Sequence, residues 1–137
     1  MAGYYCKNCK TIHEELYELY EQIPINYYYK CPTCGERSVV SIDDELMYAI
    51  SELNKKGYET TFCCAGHERN GYNHTNMYIA FNCKLPNKPY GFKFKGGVLR
   101  YNYKKHEVLD IIKERHRVID RLNKWVDKLE IKTERWV

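Results

Sequence analysis

The chain predicts an α+β fold: an N-terminal unit stapled by four cysteines, then a small, mainly antiparallel sheet with one helix before it and a long C-terminal helix after it. Three observations carry this reading. Two Cys-x-x-Cys pairs lie in the first 34 residues, β-rich runs cluster between residues 58 and 103, and apolar residues recur at three-four spacing from about Lys105 onward. At 137 residues the chain has room for one modest core plus a metal-held appendage, read as residues 1–40 and 41–137.

The appendage is written in YYCKNCK and KCPTCGER, with 21 residues between Cys9 and Cys31. Two residues between paired cysteines let both thiolates turn onto one ion while the amides of each tight turn point at the sulfurs. Cys6, Cys9, Cys31 and Cys34 therefore form a closed tetrahedral set. Pro32 stiffens the second turn, and Gly35 suits a positive φ there; Lys10 holds the matching place in the first turn. Over residues 4–38 this resembles the zinc-ribbon family, which implies one structural Zn²⁺ that supplies folding energy to a unit too small to fold on apolar burial alone. Rubredoxin-like iron is the rival occupant of the same thiolates. Between the pairs, Thr11 and Glu14 have capping-box spacing ahead of Ile12, Leu16, Leu19, Tyr20 and Ile23, predicting a short helix that ends before Pro24, with strand as the alternative.

A connecting strand, a helix and a second strand follow. Asp43 or Asp44 caps the helix, Leu46, Ile50 and Leu53 line one side, and Gly57 ends it. Tyr58–Cys63 and Met77–Cys83 read as strands. Gly96-Gly97 between two alternating runs is a two-residue hairpin loop. In the last helix Val108, Ile111, Val118, Leu122, Trp125 and Leu129 form a seam at three-four spacing, broken only by Arg115, to be laid on the sheet or paired with a second copy of the chain.

The run FCCAGHERNGYNH, residues 62–74, concentrates the reactive side chains. Cys63 or Cys64 with His67, His74 or Cys83 has the ligand types for a second metal. Cys63 and Arg69 stand at a phosphatase-like spacing, although the residues that follow do not form the helix such a loop needs. Gly66 and Gly71 let amides approach an anion, with Cys64, His67, Arg69 and His74 supplying donors and charge. The plain alternative is small buried cysteines on a glycine corner. Residues 43–67 are also similar to the wybutosine-synthesising tRNA methyltransferases. Asp43-Asp44-Glu45, Leu53-Asn54 and Tyr58–His67 follow their helix and strand, and Cys64, Ala65 and Gly66 agree with their Ser-Ser-Cys-Ala/Ser-Gly-Arg signature; Phe62, Cys63 and His67 depart from it. The resemblance implies a strand leading into a small-residue turn that faces a ligand cleft.

Charge narrows the function. Residues 84–105 carry 7 basic and no acidic side chains, whereas residues 1–83 carry 7 basic and 11 acidic. Lys93, Lys95 and Arg100 alternate with Phe92, Phe94, Tyr101 and Tyr103, the pairing of cation and ring that grips phosphate and base. The expected function is binding of a phosphate-bearing ligand, nucleic acid or nucleotide. An enzyme using Cys64 or His67, and a protein-interaction adaptor, are the other two classes. Seven cysteines with a start that has no apolar secretory core suggest a reducing, cytoplasmic setting. Abundant Tyr, Lys, Asn and Ile fit an AT-rich genome, such as that of a phage or mobile element.

Overall fold

The computed structural model describes residues 2–13, 28–66, 68–69, 72–73, 76–104 and 107–132. The first sheet is built from β1 (Ala2–Cys6), β2 (Ile12–His13), β3 (Tyr29–Lys30) and β4 (Arg37–Asp43) in the order β2-β1-β4-β3, with antiparallel neighbours. Strand thus replaces the first residues of the helix expected after Cys9; the remainder of that expectation lies outside the described residues. The physical reason is visible at Thr11. Its hydroxyl lies 3.1 Å from Cys9 Sγ, engaged with the cysteine cluster instead of capping a helix.

Helix α1 (Asp44–Lys55) begins directly where β4 ends. Leu46, Ala49, Ile50 and Leu53 recur at helical spacing and are buried. Asp43 occupies the N-cap position but makes no side-chain capping hydrogen bond; its Oδ2 accepts from the Ala65 amide at 2.8 Å. The capping residue therefore fastens the helix to the turn that follows β5 (Thr60–Cys64).

The second sheet joins β5 to β8 (Asn76–Phe81), β9 (Lys93–Lys95) and β10 (Val98–Asn102) in the order β5-β8-β10-β9, again with antiparallel neighbours. Between β5 and β8, β6 (Glu68–Arg69) and β7 (Tyr72–Asn73) pair with each other, an element the sequence reading did not include. The hairpin loop is as expected: Gly96 and Gly97 have φ of 60° and 79°, the double positive φ of a type I′ turn.

Helix α2 (Val108–Lys128) and α1 cover one face of this sheet. Among its described side chains Ile111, Glu114, Val118, Leu122 and Val126 are buried, so the seam belongs to this chain's own core together with Leu53, Met77, Ile79 and Leu99. Arg115, the break in the three-four alternation, is flanked by buried Glu114, and Trp125 packs against the core from a partly buried position beside buried Val126. Tyr5 and Ile42 of the first sheet also enter this cluster, which ties the cysteine unit to the main body.

The two helix ends are stitched by Lys56, whose Nζ donates to the carbonyls of Val126, Asp127 and Leu129 at 2.7, 3.1 and 2.7 Å. These are carbonyls of the last turn of α2 and its cap, which lack partners within the helix, and the cation suits the negative helix end. Lys56→Met is expected to cost about 1–3 kcal/mol in chemical denaturation, since it strips a charged donor from three acceptors at once.

Candidate metal centre and open sheet face

Each cysteine pair sits on a tight turn set by the backbone. Lys10 N donates to Cys6 O at 2.8 Å and Gly35 N to Cys31 O at 2.9 Å, the same closure in both turns. Gly35 has φ of 77°, and Lys10 adopts φ of 60° despite its side chain, the one non-glycine residue with positive φ among the described residues. The two turns bring all four sulfurs within 4.8 Å of one another. Cys6 to Cys34 and Cys9 to Cys31 are both 3.7 Å. A tetrahedron with metal–sulfur bonds of ~2.3 Å has edges of about 3.8 Å, so the cluster has the size and donor set for one thiophilic ion.

Outer groups stabilise the thiolates. Amides of Cys9, Thr33 and Cys34 donate to Cys6 or Cys31 at 3.3–3.5 Å, and Asn8 Nδ2 donates to Cys34 at 3.4 Å. Ser38 Oγ lies 3.0 Å from Cys6 Sγ. Burial pushes the Cys31 thiol up, but the amides of Cys34 and Thr33 and the His13 ring outweigh it and bring the thiol down to about 5. Burial dominates at Cys6 and takes it up to about 11. His13 was missed in the sequence; its Nε2 stands 3.6 Å from Cys31 Sγ and 3.0 Å from Thr11 Oγ1, orienting both. Alternation along β2 was the available signal, since it turns His13 inward beside exposed Ile12.

The central turn is a packed corner. Ala65 is fully buried; its amide is held by Asp43 and its carbonyl accepts from Tyr103 Oη at 2.6 Å. Gly66 follows at φ of 87°, and its amide donates to Cys64 Sγ at 3.4 Å. Burial pushes the Cys63 thiol up to about 12. Among the described residues Cys63, Cys64 and Cys83 join no metal-type cluster. His67 and His74 lie outside the described residues, and Arg69 is in β6, paired with Tyr72.

Strand register decides which hairpin residues share a face, because directly opposed residues project to the same side. Cys64 pairs with Tyr78, Tyr78 with Arg100 and Arg100 with Lys93, a row running across all four strands. Lys95 lies opposite Val98 on the same side. This side is open: Lys93, Lys95 and Arg100 are exposed and Tyr78 is partly so. Arg100 lies over the Tyr78 ring, 5.5 Å from its centroid, and donates to Asn76 Oδ1 at 2.8 Å. Tyr101 and Tyr103 have the opposite parity. They are 6% and 7% exposed, the Tyr101 hydroxyl donates to Glu114 and both rings lie in the core. The ring beside the cations is Tyr78, a residue the sequence reading passed over although its alternation with Met77 and Ile79 placed it there. Phe62, 65% exposed and two residues before Cys64 on β5, borders a cavity of about 560 Å³ between β4 and β5 that is also lined by Lys7 and Tyr29.

No helix among the described residues is long and apolar enough to cross a membrane. The chain matches no known protein family, no curated protein and no solved structure, so the likeness of residues 43–67 to the tRNA methyltransferases gains no support from these comparisons.

Proposed function

We propose that this is a zinc-binding protein whose ion is structural and whose open sheet face binds a phosphate-bearing ligand, a nucleic acid or nucleotide. The row Lys93–Arg100–Tyr78–Cys64 is the observation that supports it most: cations and a ring stand side by side on a rigid sheet. Lys93, Lys95 and Arg100 would meet phosphate and Tyr78 a base. Four strands at ~4.8 Å spacing give a row of about 14 Å, which favours a strand of several nucleotides over a single one. Gly66, which follows Cys64, would add a backbone donor at one end of the row, and His67, Arg69 and His74 stay candidates by residue type alone. Cys6, Cys9, Cys31 and Cys34 would hold the zinc, and thiolate ligands persist in a reducing compartment, which supports a cytoplasmic setting.

The test is fluorescence anisotropy with labelled single-stranded RNA and DNA 12-mers. Combined Lys93→Ala and Arg100→Ala is expected to weaken binding at least about tenfold. It should also flatten the slope of log affinity against log salt by about 1.4, the value for two phosphate contacts on a single strand. A double variant that binds as the parent does would end this reading.

A further inference from the structure

A second electropositive surface lies on the other side of the molecule, where α2 meets the connector of residues 84–92. Arg117, Arg121, Lys124 and Lys128 recur along α2 at intervals of four, three and four residues, which aligns them in one stripe about 16 Å long. Opposite the stripe stand Lys88, Pro89 and Tyr90, and the two sides flank an open, shallow groove of about 520 Å³ that Trp125 also lines. Five cations line it against one carboxylate, Asp120, which is 3.0 Å from Lys124 in an exposed pair that solvent screens.

The connector is anchored, not draped. Trp125 Nε1 donates to Asn87 Oδ1 at 2.5 Å, Lys88 Nζ to Phe92 O at 2.9 Å, and Arg121 Nη1 to Tyr90 O at 3.2 Å. Arg121 also lies over the Tyr90 ring, 5.5 Å from its centroid. Tyr90 is nevertheless 84% exposed. A large ring backed by a guanidinium and open to solvent has no packing role that needs such exposure, and it is ready to stack.

We infer that this groove is a site for single-stranded nucleic acid, with Tyr90 stacking a base and Lys88, Arg117, Lys124 and Lys128 neutralising the backbone. An aligned cationic groove that follows a backbone, with an exposed ring beside it, is the arrangement that binds single strands without sequence preference. An acidic protein segment would use the charge but offers no base to stack on the Tyr90 ring. The groove is separate from the sheet row, and the inference stands whether or not that row binds.

The same 12-mers and a 12-base-pair duplex serve as probes, with Tyr90→Ala, the pair Arg117→Ala and Lys128→Ala, and the sheet-face double variant measured in parallel. Tyr90→Ala is expected to weaken single-strand binding between about five- and a hundredfold. The charge pair should lower the salt slope by about 1.4. All three residues are on the surface, so melting temperatures should stay unchanged. If groove variants bind as the parent does while the sheet variant fails, the groove inference is overturned and the sheet reading stands. If only groove variants lose binding, the sheet reading alone falls. Duplex binding as tight as single-strand binding, or a charge effect without a Tyr90 effect, overturns the single-strand assignment. A parent protein that binds no oligonucleotide sinks both.

Discussion

Cys31→Ser is expected to release the metal and loosen the two cysteine turns while the second sheet stays folded. Among the described residues the local cluster around the sulfurs has Cys6, Cys31 and Val39 as its buried apolar residues, with Tyr4, Cys9, Tyr29 and Cys34 packed around them. Burying one valine contributes about 1.5–3 kcal/mol, too little to order the turns, whereas a structural zinc contributes about 10–16 kcal/mol of apparent binding energy. Strands β1 and β4 carry a second anchor, because Tyr5 and Ile42 reach the main core. Loss of order should therefore be confined. Hydrogen exchange is the readout: the amides of Cys9, Lys10, Thr33, Cys34 and Gly35, bonded to Cys6 or Cys31 within the turns, should lose protection. Amides of β8 and β10 should keep theirs. Chelation of the parent protein should reproduce the pattern, and equal protection in variant and parent would remove the metal from the account.

Glu114→Ala is expected to destabilise the main body by about 3 kcal/mol, a fall in melting temperature on the order of 10 °C for a chain of this size. Glu114 is 5% exposed, and its carboxylate accepts from Tyr101 Oη at 2.6 Å and from the Lys104 amide at 3.0 and 3.1 Å. Removing it leaves the buried Tyr101 hydroxyl without this partner, at about 1–3 kcal/mol before any relaxation, and the part-buried Lys104 amide without its acceptor. A second readout is independent of stability. Burial, then the hydrogen bond to Glu114 and its charge, push the Tyr101 hydroxyl up to about 12. With the carboxylate gone, two of these causes disappear and Tyr101 should ionise at lower pH in an ultraviolet titration.

The parts of this fold that depend on local chemistry were legible. Paired cysteines, a Gly-Gly loop and the Leu46, Ile50 and Leu53 face of α1 each state their geometry within a few residues. Parity within a strand was legible too, since it sets the hairpin's cations on one side and its rings on the other. Leu99, Tyr101 and Tyr103 alternate with Arg100, so the two tyrosines had to share the core side, and the cations had to find their ring on a neighbouring strand, at Tyr78. The α2 seam left out two buried positions, Glu114 and Val126, for a different reason. A strict three-four alternation drifts around a helix of 3.6 residues per turn, and Glu114 enters the core only because Tyr101 and Lys104, brought beside it by the tertiary fold, satisfy its oxygens. Thr11 was misread because the capping pattern is local while its true partners, the sulfurs and His13, come together only once the turns close.

X-ray absorption at the metal edge, on protein purified without added metal, tests the central claim most directly. The account predicts one zinc per chain surrounded by four sulfurs at about 2.3 Å. Nitrogen or oxygen in that shell, iron in place of zinc, or a metal content of none or two per chain would contradict it.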